Sequence, residues 1–286
     1  MNPKYKGILC IVTAGFFFAL MSMLVRLAGD LPSVQKSFFR NLVALAVAAV
    51  MLAKQRPAIH MDKTSWWYMF LRAGFGTLGV LCNFYAVDHL LLADATMLNK
   101  MSPFFAIVLG ALLLREKLTL FQLGAVAAAF CGALLVIKPS GQNLSLGPAL
   151  IGLLGGFGAG FAYTMVRALG KRGVAGPFIV FCFSLFSCVV TLPMMLAEFV
   201  PMTAGQMGIL LLVGLAAALA QFAITAAYCY APAREISVFD YSQILFSALL
   251  GFAAFGQVPD PLSWLGYGVI CATAAANFLY TLRKTS

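Results

Sequence analysis

Three ionisable residues stand well inside long apolar runs: Arg40, Lys100 and Asp240. A Lys, Arg or Asp at the centre of a membrane helix costs about 2.5–3.5 kcal/mol on insertion scales, so such a group normally faces a cavity or a partner. Two cations and one acid at depth could hold a carboxylate and an ammonium, or could form a purely structural ion pair. Polar neighbours accompany them. Asn99 adjoins Lys100, and Asp240, Gln243 and Ser247 are spaced i, i+3, i+7, which puts them on one helix face. Gln221, Thr225 and Tyr228 have the same kind of spacing in the preceding run. Pro103 removes a backbone donor and predicts a kink just past Lys100, which suits a helix that lines a cavity or hinges. Phe16, Phe17, Phe18, Tyr85, Tyr163 and Tyr228 could wall such a cavity, although with 25 Phe in the chain most aromatic rings must meet lipid or pack.

Other chemistry is poorly supported. There are two histidines, His60 and His89, and neither an HExxH nor a GxSxG motif. His89 beside Asp88 could titrate, but a solvated loop role is the simpler expectation for it. The seven cysteines are odd in number, form no CxxC and fall in apolar runs, so they read as small buried hydrophobes. Gly74-Phe-Gly-Thr-Leu-Gly79 matches GxGxxG but lies within an apolar run, not between a strand and a helix. It reads as close helix packing, as do Gly152, Gly156 and Gly160 at every fourth position. No cofactor and no metal are expected. Arg26, Arg72, Arg115, Arg167 and Arg234 sit near the ends of apolar runs and are expected to snorkel to headgroups.

The elements that must position these residues follow from composition. The class AVILMFWYC makes up 62% of the 286 residues, charged residues make up 10%, and mean hydropathy is +0.95. Soluble domains carry about 25% charged residues, so a soluble enzyme, a secreted domain and a nucleic-acid reader are all disfavoured. The net charge of +10 does not reinstate nucleic acid, because the basic residues lie singly or in pairs between apolar runs. A membrane helix needs about 20 apolar residues. Ten runs meet or approach that length: 7–28, 34–53, 66–87, 93–114, 120–137, 147–168, 177–197, 207–229, 236–256 and 263–282. The first is too long for a signal-peptide core and lacks a clear cleavage site, so it is expected to stay as a helix. With the N-terminus inside, every Lys and Arg except Arg26, Lys36, Arg40, Lys100 and Lys138 falls in cytoplasmic segments. The expectation is an all-α polytopic membrane protein of ten transmembrane helices, in a bacterial inner membrane, with both termini cytoplasmic.

Sliding the chain against itself by 141 residues puts Gly15-Phe16 on Gly156-Phe157, Met23–Arg26 on Thr164–Arg167, and Gly29 on Gly170. Asn99, Lys100 and Ser102 then fall on Asp240, Tyr241 and Gln243. Halves of five helices each, 1–139 and 140–286, would cross in opposite senses as a 5+5 inverted-topology repeat, with a site between them near the midplane. Two stretches carry a resemblance: ADATMLNKMSPFFAIVLGALLLREKL at Ala93–Leu118, and AYCYAPAREISVFDYSQ at Ala227–Gln243 with FGQVPD after it at Phe255–Asp260. They resemble the paired signature regions of EamA-type proteins of the drug/metabolite transporter superfamily. That resemblance implies a central cavity between inverted repeats, moving hairpins at helices 3–4 and 8–9, and peripheral helices 5 and 10. It implies transport of amino acids, other small metabolites, drugs or nucleotide sugars. The chain departs from the pattern at Gln257, where the family often has Glu to match Glu116.

No Walker A motif is present, so transport would be secondary or facilitative, by alternating access. The deep cations outnumber the deep acid, which favours a small zwitterion or organic anion such as an amino acid. The rival is an exporter of amphipathic cationic drugs or quaternary amines held by Asp240 and aromatic faces; a channel is disfavoured because no filter-like repeat is visible. The expected partners are the solute, the bilayer and, as an open candidate, protons. A monomer or weak homodimer is expected. The expected substrate site comprises Lys100, Asp240, Asn99, Gln243, Gln221, Tyr228, Arg40, Tyr163 and Tyr85, with Lys100 and Asp240 facing one central cavity.

Overall fold

The computed structural model describes residues 3–55, 61–114, 119–137, 146–230 and 239–285. His60, Arg115, Glu116, Lys138 and Arg234, singled out above, lie outside the described residues. Among the described residues the helices are α1 (Pro3–Leu27), α2 (Ser33–Gln55), α3 (Lys63–His89), α4 (Leu92–Asn99), α5 (Ser102–Leu114), α6 (Leu120–Ile137), α7 (Leu146–Lys171), α8 (Gly176–Ala197), α9 (Ala204–Tyr230), α10 (Ser242–Phe255) and α11 (Pro261–Thr285). Eight spans are long and apolar enough to cross a membrane, with α4 and α5 together forming one of them; the shorter apolar stretches Leu123–Leu135 and Ser242–Phe255 bring the number to ten. Helices are what such a sequence must form, because in hydrocarbon each backbone N–H and C=O has to be satisfied within the segment.

The fourth span is broken where Pro103 predicts it. Pro103 has no N–H for the Asn99 carbonyl, and α4 ends as Lys100 N–H bonds the Thr96 carbonyl at 2.9 Å. Phe104 and Phe105 both donate to the Met101 carbonyl, at 3.0 and 3.1 Å, which frees the Lys100 carbonyl from the helix. The Tyr241 hydroxyl takes it up at 3.1 Å. Residues 239–240 are helical, Tyr241 is a turn and α10 follows, so the ninth span is broken as well. Lys100 and Tyr241 are equivalent positions at the 141-residue shift.

Helices pair across the middle of the chain. α1 packs on α9 and α10, α3 on α7 and α8, α2 on α8 and α9, and α7 on α4 and α5. α6 and α11 pack against each other, with Val126, Ala129 and Ala133 meeting Tyr267, Ile270 and Ala274 in one apolar cluster. Glycines set the closest approaches, as their spacing suggests. A Cβ at Gly79 would lie 3.1 Å from the Ala159 nitrogen, and one at Gly158 would lie 2.8 Å from the Phe75 carbonyl, so α3 and α7 meet backbone to backbone. Gly156 and Gly160 face the break, their added Cβ atoms falling 2.5 Å from the Leu98 and Ser102 carbonyls. Gly15 holds the related place on α1, against Ser242 and Gln243 at the start of α10.

Ion pairs tie the ends. Lys36 and Asp88 meet at 2.7 Å and Ser33 donates to the same carboxylate, so Asp88 is a half-buried partner of α2, while His89 beside it is exposed. Arg26, half-buried at the end of α1, donates to the Leu90 carbonyl at 2.7 Å. At the other end Asp62 caps α3 by accepting from Ser65 N–H at 3.0 Å and pairs with Arg172 at 2.9 Å. The Ser65 hydrogen bonds, assisted by Arg172, hold the Asp62 carboxyl below its ordinary range. A carboxyl depressed by folding adds stability above its unfolded pKa and loses that contribution as pH falls through the folded value. The wild type should therefore melt above Asp62→Ala at pH 7, and the gap should close on acidification below the carboxylate range. A gap independent of pH would contradict the cap's electrostatic role.

Candidate functional site

The centre of the bundle holds a cavity whose wall is drawn from α1, α2, α3, α7, α8 and α9 and from the two helix breaks. Arg40, Arg72, Lys100, Asn99, Tyr163, Gln221, Gln243, Asn83, Phe18 and Phe183 are among its lining residues. Lys100, at the end of α4, points its ammonium at Asp240, Nζ to Oδ1 2.7 Å, and both side chains are buried. Lys100 is the C-cap of α4, an end that favours a cation, and Asp240 stands just ahead of the Tyr241 turn that opens α10. Lys100 lines the cavity, whereas Asp240 sits behind it, fully buried, and its Oδ2 has no hydrogen-bond partner among the described residues.

Arg40 enters from α2. Its guanidinium donates to Asn41 Oδ1 and, at 3.4 Å, to Gln221 Oε1. Asn41 is itself fixed by bonds to Ser187 Oγ at 2.8 Å and the Ser37 carbonyl at 2.9 Å. Gln221 continues to Thr225 Oγ1 at 3.3 Å. Tyr163 lines the cavity and stacks on Tyr228 with centroids 5.1 Å apart; Tyr228 lies behind it, off the wall, with its hydroxyl buried.

Asp240 and Tyr228 thus lie behind the cavity wall instead of on it, and three further sequence expectations need correction. Arg72 does not snorkel: it is 2% exposed and lies over the Phe183 ring at 4.2 Å. Gly76, one turn along α3, makes room for it, since a Cβ there would meet Nη1 at 2.1 Å. Tyr85 is not a cavity residue. It stacks on His89, with centroids 4.1 Å apart, at the exposed end of α3. Of the three consecutive phenylalanines, Phe18 lines the cavity while Phe16 is exposed and packs edge-on against Phe17 and Phe246. Sequence reasoning also missed Asn41, Asn83 and Phe183. Phe183 could not be distinguished among so many phenylalanines.

A buried ion pair thus stands at paired helix breaks beside a cavity of mixed polar and apolar lining. Residues 5–138 match the model of the EamA-like transporter family. The chain is 33% identical over 271 residues to the pseudopaline exporter of Pseudomonas aeruginosa, covering 94% of each protein. The chain belongs to the EamA-like transporter family. This EamA-like transporter is also 27% identical over 291 residues to a riboflavin transporter of Vibrio cholerae, covering 98% of the chain and 95% of that protein. A solved crystal structure superposes on it with a TM-score of 0.71 over 99% of both chains at 15% identity, a likeness of fold. The EamA-like transporter is thus an integral membrane protein that moves a small molecule and is not an enzyme.

Proposed function

We propose that this transporter carries a small carboxylated or zwitterionic metabolite by alternating access, with Lys100 as the group that receives the substrate carboxylate and Asp240 as the group that takes the ammonium or a proton. The carrying observation is the Lys100–Asp240 pair at 2.7 Å, placed with the cation on the cavity wall and the acid behind it. A carboxylate entering the cavity competes for the Lys100 ammonium and leaves Asp240 to bind a positive group, so loading a zwitterion exchanges one ion pair for two. The unpartnered Oδ2 supports this, since a buried acceptor without a donor is costly. Relatives named as a pseudopaline exporter and as a riboflavin transporter support a small organic solute.

The halves 1–139 and 140–286 act, in this reading, as inverted repeats. Support comes from the exchange of partners under the 141-residue shift: α1 on α9 answers α7 on α3, and α1 on α10 answers α7 on α4 and α5. The two helix breaks keep the same shift. Both termini are assigned to the cytoplasm of a bacterial inner membrane. Proteoliposomes test the function: saturable uptake of amino or carboxylic acids with counterflow is expected. Linear flux with single-channel currents, or uptake confined to quaternary amines, would refute it. Reporter fusions placing 54–63 outside the cell would refute the orientation.

A further inference from the structure

We propose that Arg40 and Arg72 form a second anion subsite in the same cavity as Lys100, so that the preferred solute carries two anionic groups. This deepens the carboxylate reading above and rests on it.

Both guanidiniums lie against one ring, Phe183, at 5.5 Å for Arg40 and 4.2 Å for Arg72. Both are almost completely buried and both line the cavity. Neither has a carboxylate partner among the described residues, and the Nε of each is without a hydrogen bond there. The other acids close to the bundle are engaged elsewhere: Asp88 with Lys36, Asp94 with the Tyr267 hydroxyl, and Asp240 with Lys100. Two cations buried against one ring repel each other and cost far more than one paired cation. An aromatic face offsets part of that cost, but it neutralises no charge.

The surroundings hold the two cations in place. Arg40 is gripped through Asn41 by Ser37 and Ser187, and through Gln221 by Thr225. Arg72 occupies the notch that Gly76 leaves on its own helix. Guanidinium is the group suited to planar, two-bond recognition of a carboxylate. The geometry therefore separates two tasks. Lys100 can exchange Asp240 for a substrate anion, whereas Arg40 and Arg72 have no protein anion to exchange and can accept one outright.

The test uses the full-length protein in lipid nanodiscs and two ligand pairs that differ by one charge: glutamate against glutamine, and succinate against succinamate. The wild type should bind the dicarboxylate member of each pair about tenfold or more tightly than its amide, the effect expected for one charge-assisted contact. Arg72→Gln should erase that preference while still binding glutamine. Without ligand it should melt no lower than the wild type, because a cation with no protein counter-charge has been removed. Arg72→Lys serves as the second variant: it should keep part of the preference. Equal binding of acid and amide by the wild type would overturn the subsite and leave the carboxylate reading standing. Binding of neither pair would overturn both. A lower melting point for Arg72→Gln with the preference intact would assign Arg72 a structural role instead. Sulfate stabilising the wild type as strongly as glutamate would mark a general inorganic-anion site and overturn the two-anion solute.

Discussion

Lys100→Met should leave little folded protein, whereas Lys100→Met combined with Asp240→Asn should fold and fail to transport. Removing one member of a buried ion pair typically costs about 3–5 kcal/mol, because the other charge stays behind unpaired, while replacing both members can be nearly neutral. The two single variants should not be equal. Asp240 is fully buried with one oxygen already unpartnered, so losing Lys100 strands its charge. Lys100 lines the cavity and can be solvated there, so Asp240→Asn should be the milder change. Melting of detergent-solubilised protein and proteoliposome uptake give the two readouts. If the double variant transports normally, or if Asp240→Asn is the more damaging single change, the assigned roles are wrong.

The second large effect is expected at Gly156. A methyl group there would fall 2.5 Å from the Leu98 carbonyl, a backbone atom just ahead of the break at Lys100. Neither α4 nor α7 can turn aside, since the Cβ at Gly160 would meet the Ser102 carbonyl just as closely. Overpacking of this kind costs about 1–3 kcal/mol, and the displacement would act directly on the Lys100 ammonium. Gly156→Ala should lower the melting temperature and abolish most transport. Gly74→Ala is the control: nothing lies within 4 Å of its added methyl, so stability and transport should stay near wild type. Wild-type transport by Gly156→Ala would show that the break tolerates a shift the structure gives no room for.

Much of this was legible because two physical costs leave marks in sequence. The cost of exposed backbone in lipid enforces long apolar helices, and their ends agree with the apolar runs to within a few residues except at α10, where part of the ninth run lies outside the described residues. The cost of an intramembrane charge singled out Arg40, Lys100 and Asp240, and the 141-residue shift connected the last two. Depth does not single out Arg72, because the apolar run begins at residue 66 whereas α3 starts at Lys63, a turn earlier. Depth also says nothing about which way a side chain turns. The trace it did leave is Gly76, four residues on. Tyr85 was misassigned for the complementary reason: an aromatic residue suits a cavity wall, a lipid face and a stack on His89 equally well, and periodicity cannot choose among them.

The contacts between α4 and α10 have a mechanical consequence. Leu92 N–H donates to Gln257 Oε1 at 3.0 Å, the Thr96 and Ser247 hydroxyls meet at 2.9 Å, and the Lys100 carbonyl accepts from Tyr241 at 3.1 Å. Running antiparallel, these three rungs fasten α4 to α10 along its whole length. A one-turn slide would break all three at once and leave the Thr96, Ser247 and Lys100 groups stranded away from water. The seam between α3 and α7 carries no such rungs at Gly79, Gly155 and Gly158, where backbone lies on backbone. A slide along the first interface therefore costs hydrogen bonds, whereas a slide along the second costs only close packing.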